Sequence, residues 1–158
     1  MLEQFFLWMG DLPFSKAIGE SLWIFPVIQA FHLVFLAILV GSILIVDIRL
    51  LGRGMTRQPL ATVASDARPW FLFGIAGMVA TGVPQMMQNA SREYYSEFFW
   101  LKMTFLATAL VFTVTVRRMV TRRADGSVAP VAMKAVALVS MALWGSVAVC
   151  GRLIGLFS

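Results

Sequence analysis

Twenty-six consecutive residues, from Ser21 to Val46, separate Glu20 from Asp47 without a single charge. A helix needs about 20 apolar residues to cross the hydrocarbon core of a bilayer. In water, a helix that is apolar on every side must lie at the centre of a large protein. This chain has only 158 residues, so the run reads as a membrane span over 22–46. Three more apolar stretches follow. One lies between Arg68 and Arg92 and reads as a span over 69–89. A third covers 98–116, with Lys102 near its start. A fourth covers 131–157, with Lys134 and Arg152 near its ends and a charge-free stretch from Ala135 to Gly151.

Composition agrees. Hydrophobic residues make up 59% and charged residues 13%, against about 45–50% and about 25% in soluble domains, and mean hydropathy is +0.83. A soluble globular enzyme of this composition would expose a large apolar surface and is excluded. Aromatic residues at 13% exclude a disordered chain. Four spans use roughly 80 residues, which leaves no room for a second domain. The expectation is an all-α integral membrane four-helix bundle, one transmembrane domain over 1–158, with a short N-terminal interfacial helix.

That helix is read from Phe5 to Met9, ended by the turn Gly10-Asp11-Leu12-Pro13. With Glu3 and Asp11 in place of a basic start, Met1 to Lys16 does not read as a signal peptide. Pro59 to Ala67 is expected as a second, separate amphipathic piece on the opposite surface.

The net charge is +5. The basic residues sit between apolar runs, so the partner they imply is the lipid bilayer and not nucleic acid. The first connection holds Arg49, Arg53, Arg57 and Arg68. The third holds Arg117, Arg118, Arg122 and Arg123, with Lys134 nearby. The bias toward these two connections places them in the cytoplasm and both termini outside. In a bacterium this is a multi-pass inner-membrane protein with periplasmic termini.

His32 is the one histidine, near the middle of the first span. A polar ring there is costly unless it faces protein or a ligand. It reads as a haem or copper ligand, as a proton-handling group, or as a neutral ring hydrogen-bonded to a neighbouring helix; without a cofactor, the expected partner is Gln29, one turn outward on the same helix, Thr81 or a threonine of the third span. The second span carries Gly74, Gly77, Thr81, Gln85 and Gln88 at helical spacing, which suits close helix approach or the wall of a polar pocket. Met78 and Thr81 fall at the depth of His32. Thr104, Thr108 and Thr115 are expected to bond their own backbone. Lys102 and Arg152 lie toward the outer surface and either snorkel or hold an acidic group. Met86, Met87, Met103 and Cys150, with His32, form a soft-ligand set of the kind that binds Cu(I). Asp47 and Arg49 read as a local ion pair or a contact with lipid headgroups. No serine, cysteine and histidine cluster marks a nucleophilic enzyme, so whether the protein is an enzyme stays open.

The pattern Phe25-Pro26, His32-Leu33, Val40-Gly41-Ser42 and Val46-Asp47-Ile48-Arg49-Leu50-Leu51-Gly52 resembles a family of uncharacterised bacterial four-span membrane proteins. The likeness continues more weakly through Phe99 to Met103 and Gly151 to Gly155. It is distantly similar to membrane haem-b cytochromes and copper-resistance membrane proteins. The family resemblance implies fold and location; the mid-membrane His32, the basic outer rim and the distant cytochrome likeness together give the reading of a haem-b electron-transfer component with His32 as axial ligand to the iron. Gly74, Gly77 and Met78 would line the cleft, and Lys102 and Arg152 would meet the propionates. The sixth position falls to a methionine, to water, or to His32 of a second copy. The other reading is a non-catalytic anchor, an assembly subunit of a larger membrane complex, or a small homo-oligomeric channel. A monomeric transporter is disfavoured, because no repeat or broken-helix pair is present.

Overall fold

The computed structural model describes residues 1–123 and 129–157. The connection at 124–128 and Ser158, both within the expected domain, lie outside the described residues. Two short helices open the chain, α1 (Leu2–Asp11) and α2 (Pro13–Glu20). Leu12 between them is extended, and Pro13 takes the first helical position, where its missing N–H costs nothing. The expected single interfacial helix is therefore a helical pair. Trp23 stands at the N-cap of α3 (Ile24–Leu50) without a side-chain cap, and Ser21 Oγ, two residues earlier, accepts from the backbone N–H of Ile24 at 3.2 Å and so satisfies one open donor of the first turn. That helix ends where Gly52 adopts a positive φ of 75°. There Gly52 N–H bonds Arg49 O and Arg53 N–H bonds Ile48 O, which closes the last turn on its own carbonyls.

The second span is one helix, α4 (Leu60–Gln88), with Pro69 and Pro84 inside it. This corrects the expectation of a separate surface piece over Pro59 to Ala67. Leu60, Val63 and Ala67 are buried against Val46 and Leu50 of α3. Their burial holds the helix through Pro69, which removes only one backbone hydrogen bond. After α5 (Ala90–Tyr94), the third span runs from Glu97 to Arg122. It consists of α6 (Glu97–Phe112), a π-helical turn (Thr113–Arg117) and α7 (Arg118–Arg122). The last span is α8 (Pro130–Phe157). Among the described residues there is no strand.

The four long helices each have the length and hydropathy to cross a membrane. Large apolar side chains such as Phe73, Val79, Val111 and Leu138 point outward, as lipid-facing surfaces require. Around the bundle, α4 packs on α3, α3 on α8, and α8 on α6. The consecutive spans α4 and α6 scarcely approach each other. They meet near α7 and are otherwise held apart by side chains. Phe71, Ile75 and Met78 fill that interior with Phe105, Leu110, Trp144 and Val147. One end of the bundle carries α1, α2 and α5 and is here the cap end. The other carries the arginines apart from Arg92 and Arg152 and is the arginine end.

Candidate functional site

His32 sits on the third turn of α3, about 12 Å from its start at 1.5 Å per residue. It is half-buried and faces α4. Its Nδ1 lies 2.7 Å from Thr81 Oγ1. The Thr81 hydroxyl in turn donates to Gly77 O, one turn earlier, at 2.7 Å. A hydroxyl has one proton, and this one is committed to the backbone. Thr81 must therefore accept from His32, which places the imidazole proton on Nδ1 and leaves Nε2 with a bare lone pair. The inward orientation of His32 and its bond to Thr81 follow the sequence expectation.

Gly74 and Gly77 of the stripe on α4 face α3 as well. A Cβ at Gly74 would stand 2.9 Å from Leu39 Cα, and one at Gly77 would overlap the ring of Phe35. These two glycines let α3 and α4 approach so closely that no other residue fits. Gly82 lies against the imidazole, where a Cβ would be 3.3 Å from His32 Cε1. Gln85 Nε2 donates to Thr81 O at 3.2 Å. Gln88, at the end of the stripe, meets α2 at Gly19, and its buried Oε1 has no hydrogen-bond partner among the described residues.

The remaining candidates are scattered. Met78 is part of the central apolar core. Lys102 lays its stem along Gly151 of α8. Its ammonium is close enough for its field to reach both His32 and Glu93. Burial pushes the Glu93 carboxyl above the usual carboxylate range, and Lys102 opposes that shift. Arg152 is exposed. Met86, Met87 and Met103 pack with Phe6, Met9 and Phe99 under the cap and fill it as core side chains. Among the described residues no three His, Cys, Asp or Glu side chains come together to hold a metal ion. Thr104, Thr108 and Thr115 each donate to the carbonyl four residues earlier, on an exposed face.

The cap seals this end. Phe6 packs edge-on against Phe99, with ring centres 5.9 Å apart. Ser15 Oγ donates to Met87 O at 2.8 Å, and Tyr95 Oη donates to Glu3 Oε1 at 2.6 Å.

Sequence reasoning missed the polar knot at the arginine end. Asp47 is completely buried. It pairs not with Arg49 but with Arg117, whose Nε lies 2.9 Å from Asp47 Oδ1 and whose Nη2 donates to Ile43 O at 2.9 Å. Arg49 instead donates from Nε and Nη2 to Gln58 O in the loop. The π-helical turn sets both Thr113 and Arg117 inward, and Trp144 Nε1 donates to Thr113 Oγ1 at 3.2 Å. Ser140 of α8 is wholly buried within reach of the Asp47 carboxylate, yet its Oγ and Asp47 Oδ2 complete no hydrogen bond. Arg117 looked like one more positive-inside residue because Arg118 and Arg122 follow it. The only available signal was its position, four residues after Thr113 on the same helix.

Residues 5–158 match the model of a family described as a family of unknown function (DUF6644). No curated protein and no solved structure matches the chain.

Proposed function

The chain belongs to this family of unknown function, and we propose from the chemistry of its site that it is a membrane component that holds a small amphiphile at the cap end through His32. One observation carries the reading: Thr81 holds the imidazole with its proton on Nδ1, so Nε2 is an oriented acceptor inside the bilayer. A ring fixed in this way is suited to accept an O–H or N–H from a headgroup, or to ligate a metal. Lys102 adds a positive field from the third span. The ligand class that fits is a membrane-soluble molecule with a hydroxyl-bearing ring headgroup, such as a quinol. Positive-inside bias puts the arginine end in the cytoplasm, which gives a bacterial inner-membrane protein with periplasmic termini and a site in the periplasmic half.

Haem b meets this site only in part. The imidazole has the tautomer an axial ligand needs, with Nε2 unprotonated, and Lys102 is a cation for a propionate. The cleft assigned to the macrocycle is filled, however: Leu39 occupies the space beside Gly74 and Phe35 the space beside Gly77. A flat ring of that size does not enter between α3 and α4 without separating them. A small ring headgroup has no such requirement.

The second reading is a non-catalytic anchor or a subunit of a homo-oligomer. It is favoured by Gly41, Gly145 and Gly155, which have open space where a Cβ would be and would let another helix approach.

The test is binding of a short-chain benzoquinol to the purified protein. Wild type should bind it, and His32→Ala should bind at least about tenfold more weakly, the loss of roughly one buried hydrogen bond. Equal binding by both would discard the reading. A Soret band from wild-type protein that His32→Ala abolishes would put haem in its place.

A further inference from the structure

At the arginine end, where α4 and the third span meet near α7, the two elements enclose a hollow. A cavity of about 300 Å³ lies there, with Ser42 and Val46 of α3 at its back. Its charged lining is Arg68, Arg117, Arg118 and Arg122, with no carboxylate among the lining residues. Asp47 neutralises only Arg117. Among the described residues no carboxylate stands within ion-pair distance of Arg68, Arg118 or Arg122.

Guanidinium groups present parallel N–H donors that match phosphate oxygens. The hydroxyls of Ser42, Ser65 and Thr121 donate to their own helices, to Leu39 O, Thr62 O and Arg118 O, so the arginines are the charged donors left for an anion. The rest of the wall is apolar. Phe71, Leu72 and Val114 line the cavity, and Leu72 and Val114 continue onto the outer surface of the bundle, where they are exposed. The cavity is thus amphipathic in the sense of a lipid, with cations for the head and an apolar path for the chains.

We propose that this cleft binds the phosphate-bearing headgroup of an anionic lipid, with its acyl chains running along Leu72 and Val114. The cytoplasmic leaflet supplies such lipids, and juxtamembrane basic groups attract them. The site is separate from His32 and does not depend on its ligand.

The experiment compares lipid retained by purified protein after reconstitution with phosphatidylglycerol or phosphatidylcholine, read by native mass spectrometry. Wild type should retain phosphatidylglycerol and not phosphatidylcholine. R118Q/R122Q should reduce retention about tenfold, while R53Q/R57Q, which removes the same charge from exposed loop positions of the same end, should not. Ser65→Trp, which fills the cavity without changing charge, should also displace the lipid. Competition by millimolar inorganic phosphate would keep the anion chemistry and make free phosphate the ligand. Equal losses in the two arginine pairs, or retention unchanged by both R118Q/R122Q and Ser65→Trp, would overturn the proposal.

Discussion

The two ends of the bundle bury polar groups by opposite means. At the arginine end a full charge, Asp47, is sealed in by an opposite charge from another span, and Arg117 also ties down Ile43 O. At the cap end the half-buried pair is neutral: His32 donates to Thr81, and Thr81 donates to its own backbone. A charge pair in low dielectric is self-satisfying and strongly penalised when halved. A neutral histidine pair is weaker, but it leaves one acceptor for something else. The arginine-end knot therefore serves the fold, and the cap-end pair is the one able to serve a ligand.

The comparison breaks most readily at Asp47. Asp47→Ala leaves the Arg117 guanidinium buried with no counter-charge, which should cost about 3–5 kcal/mol. Replacing both partners with apolar residues, Asp47→Ala with Arg117→Leu, should recover most of that loss, since an apolar pair of similar volume is tolerated. Thermal unfolding in detergent measures both. A single variant as stable as wild type would show that the ion pair does not hold the spans together.

Sequence legibility divides along the same line. The spans were legible because a bilayer demands long apolar runs, and Ser21 to Val46 cannot be read otherwise. The α4 stripe was legible because helical spacing puts Gly74, Gly77 and Thr81 on one face whatever the partner. The Asp47–Arg117 pair was hidden. It joins residues 70 apart in sequence, and each lies beside a closer decoy, Arg49 for Asp47 and Arg118 for Arg117. Its formation also depends on the π-helical turn, a register shift that no periodicity announces. The fill of the α3–α4 seam was hidden too, because glycine reads equally as an open cleft or as close approach. Only the position of Phe35 and Leu39 decides between them.

A smaller effect is expected at Thr81. Thr81→Val removes the acceptor of His32 Nδ1–H while keeping the shape of the side chain. Side-chain hydrogen bonds between membrane helices average about 0.6 kcal/mol, so the stability loss should be several times less than at Asp47. The sharper readout is the tautomer. Imidazole nitrogen resonances should report a proton on Nδ1 in wild type and a mixture of tautomers in the variant. An unchanged tautomer in Thr81→Val would mean that Thr81 does not orient the ring.

The smallest effect is the pH dependence of the cap, where Glu93 on α5 carries a carboxyl raised by burial and partly held back by Lys102. When α1 and α2 detach and expose it, Glu93 returns toward its ordinary value of 4.5. Between that value and the raised one, the docked cap binds more protons than the detached cap. Docking is therefore strongest at low pH and weakens as pH rises through this window. This is the reverse of a carboxylate stabilised by an ion pair, and it follows because burial outweighs Lys102. Hydrogen exchange of the α1 and α2 amides, corrected for its intrinsic pH dependence, should show protection falling from pH 4 to pH 7 in wild type. Glu93→Gln, which keeps the shape and cannot ionise, should flatten that fall. Parallel profiles for the two proteins would place the pH sensitivity of the cap elsewhere, and would leave the partial burial of Glu93 without energetic consequence.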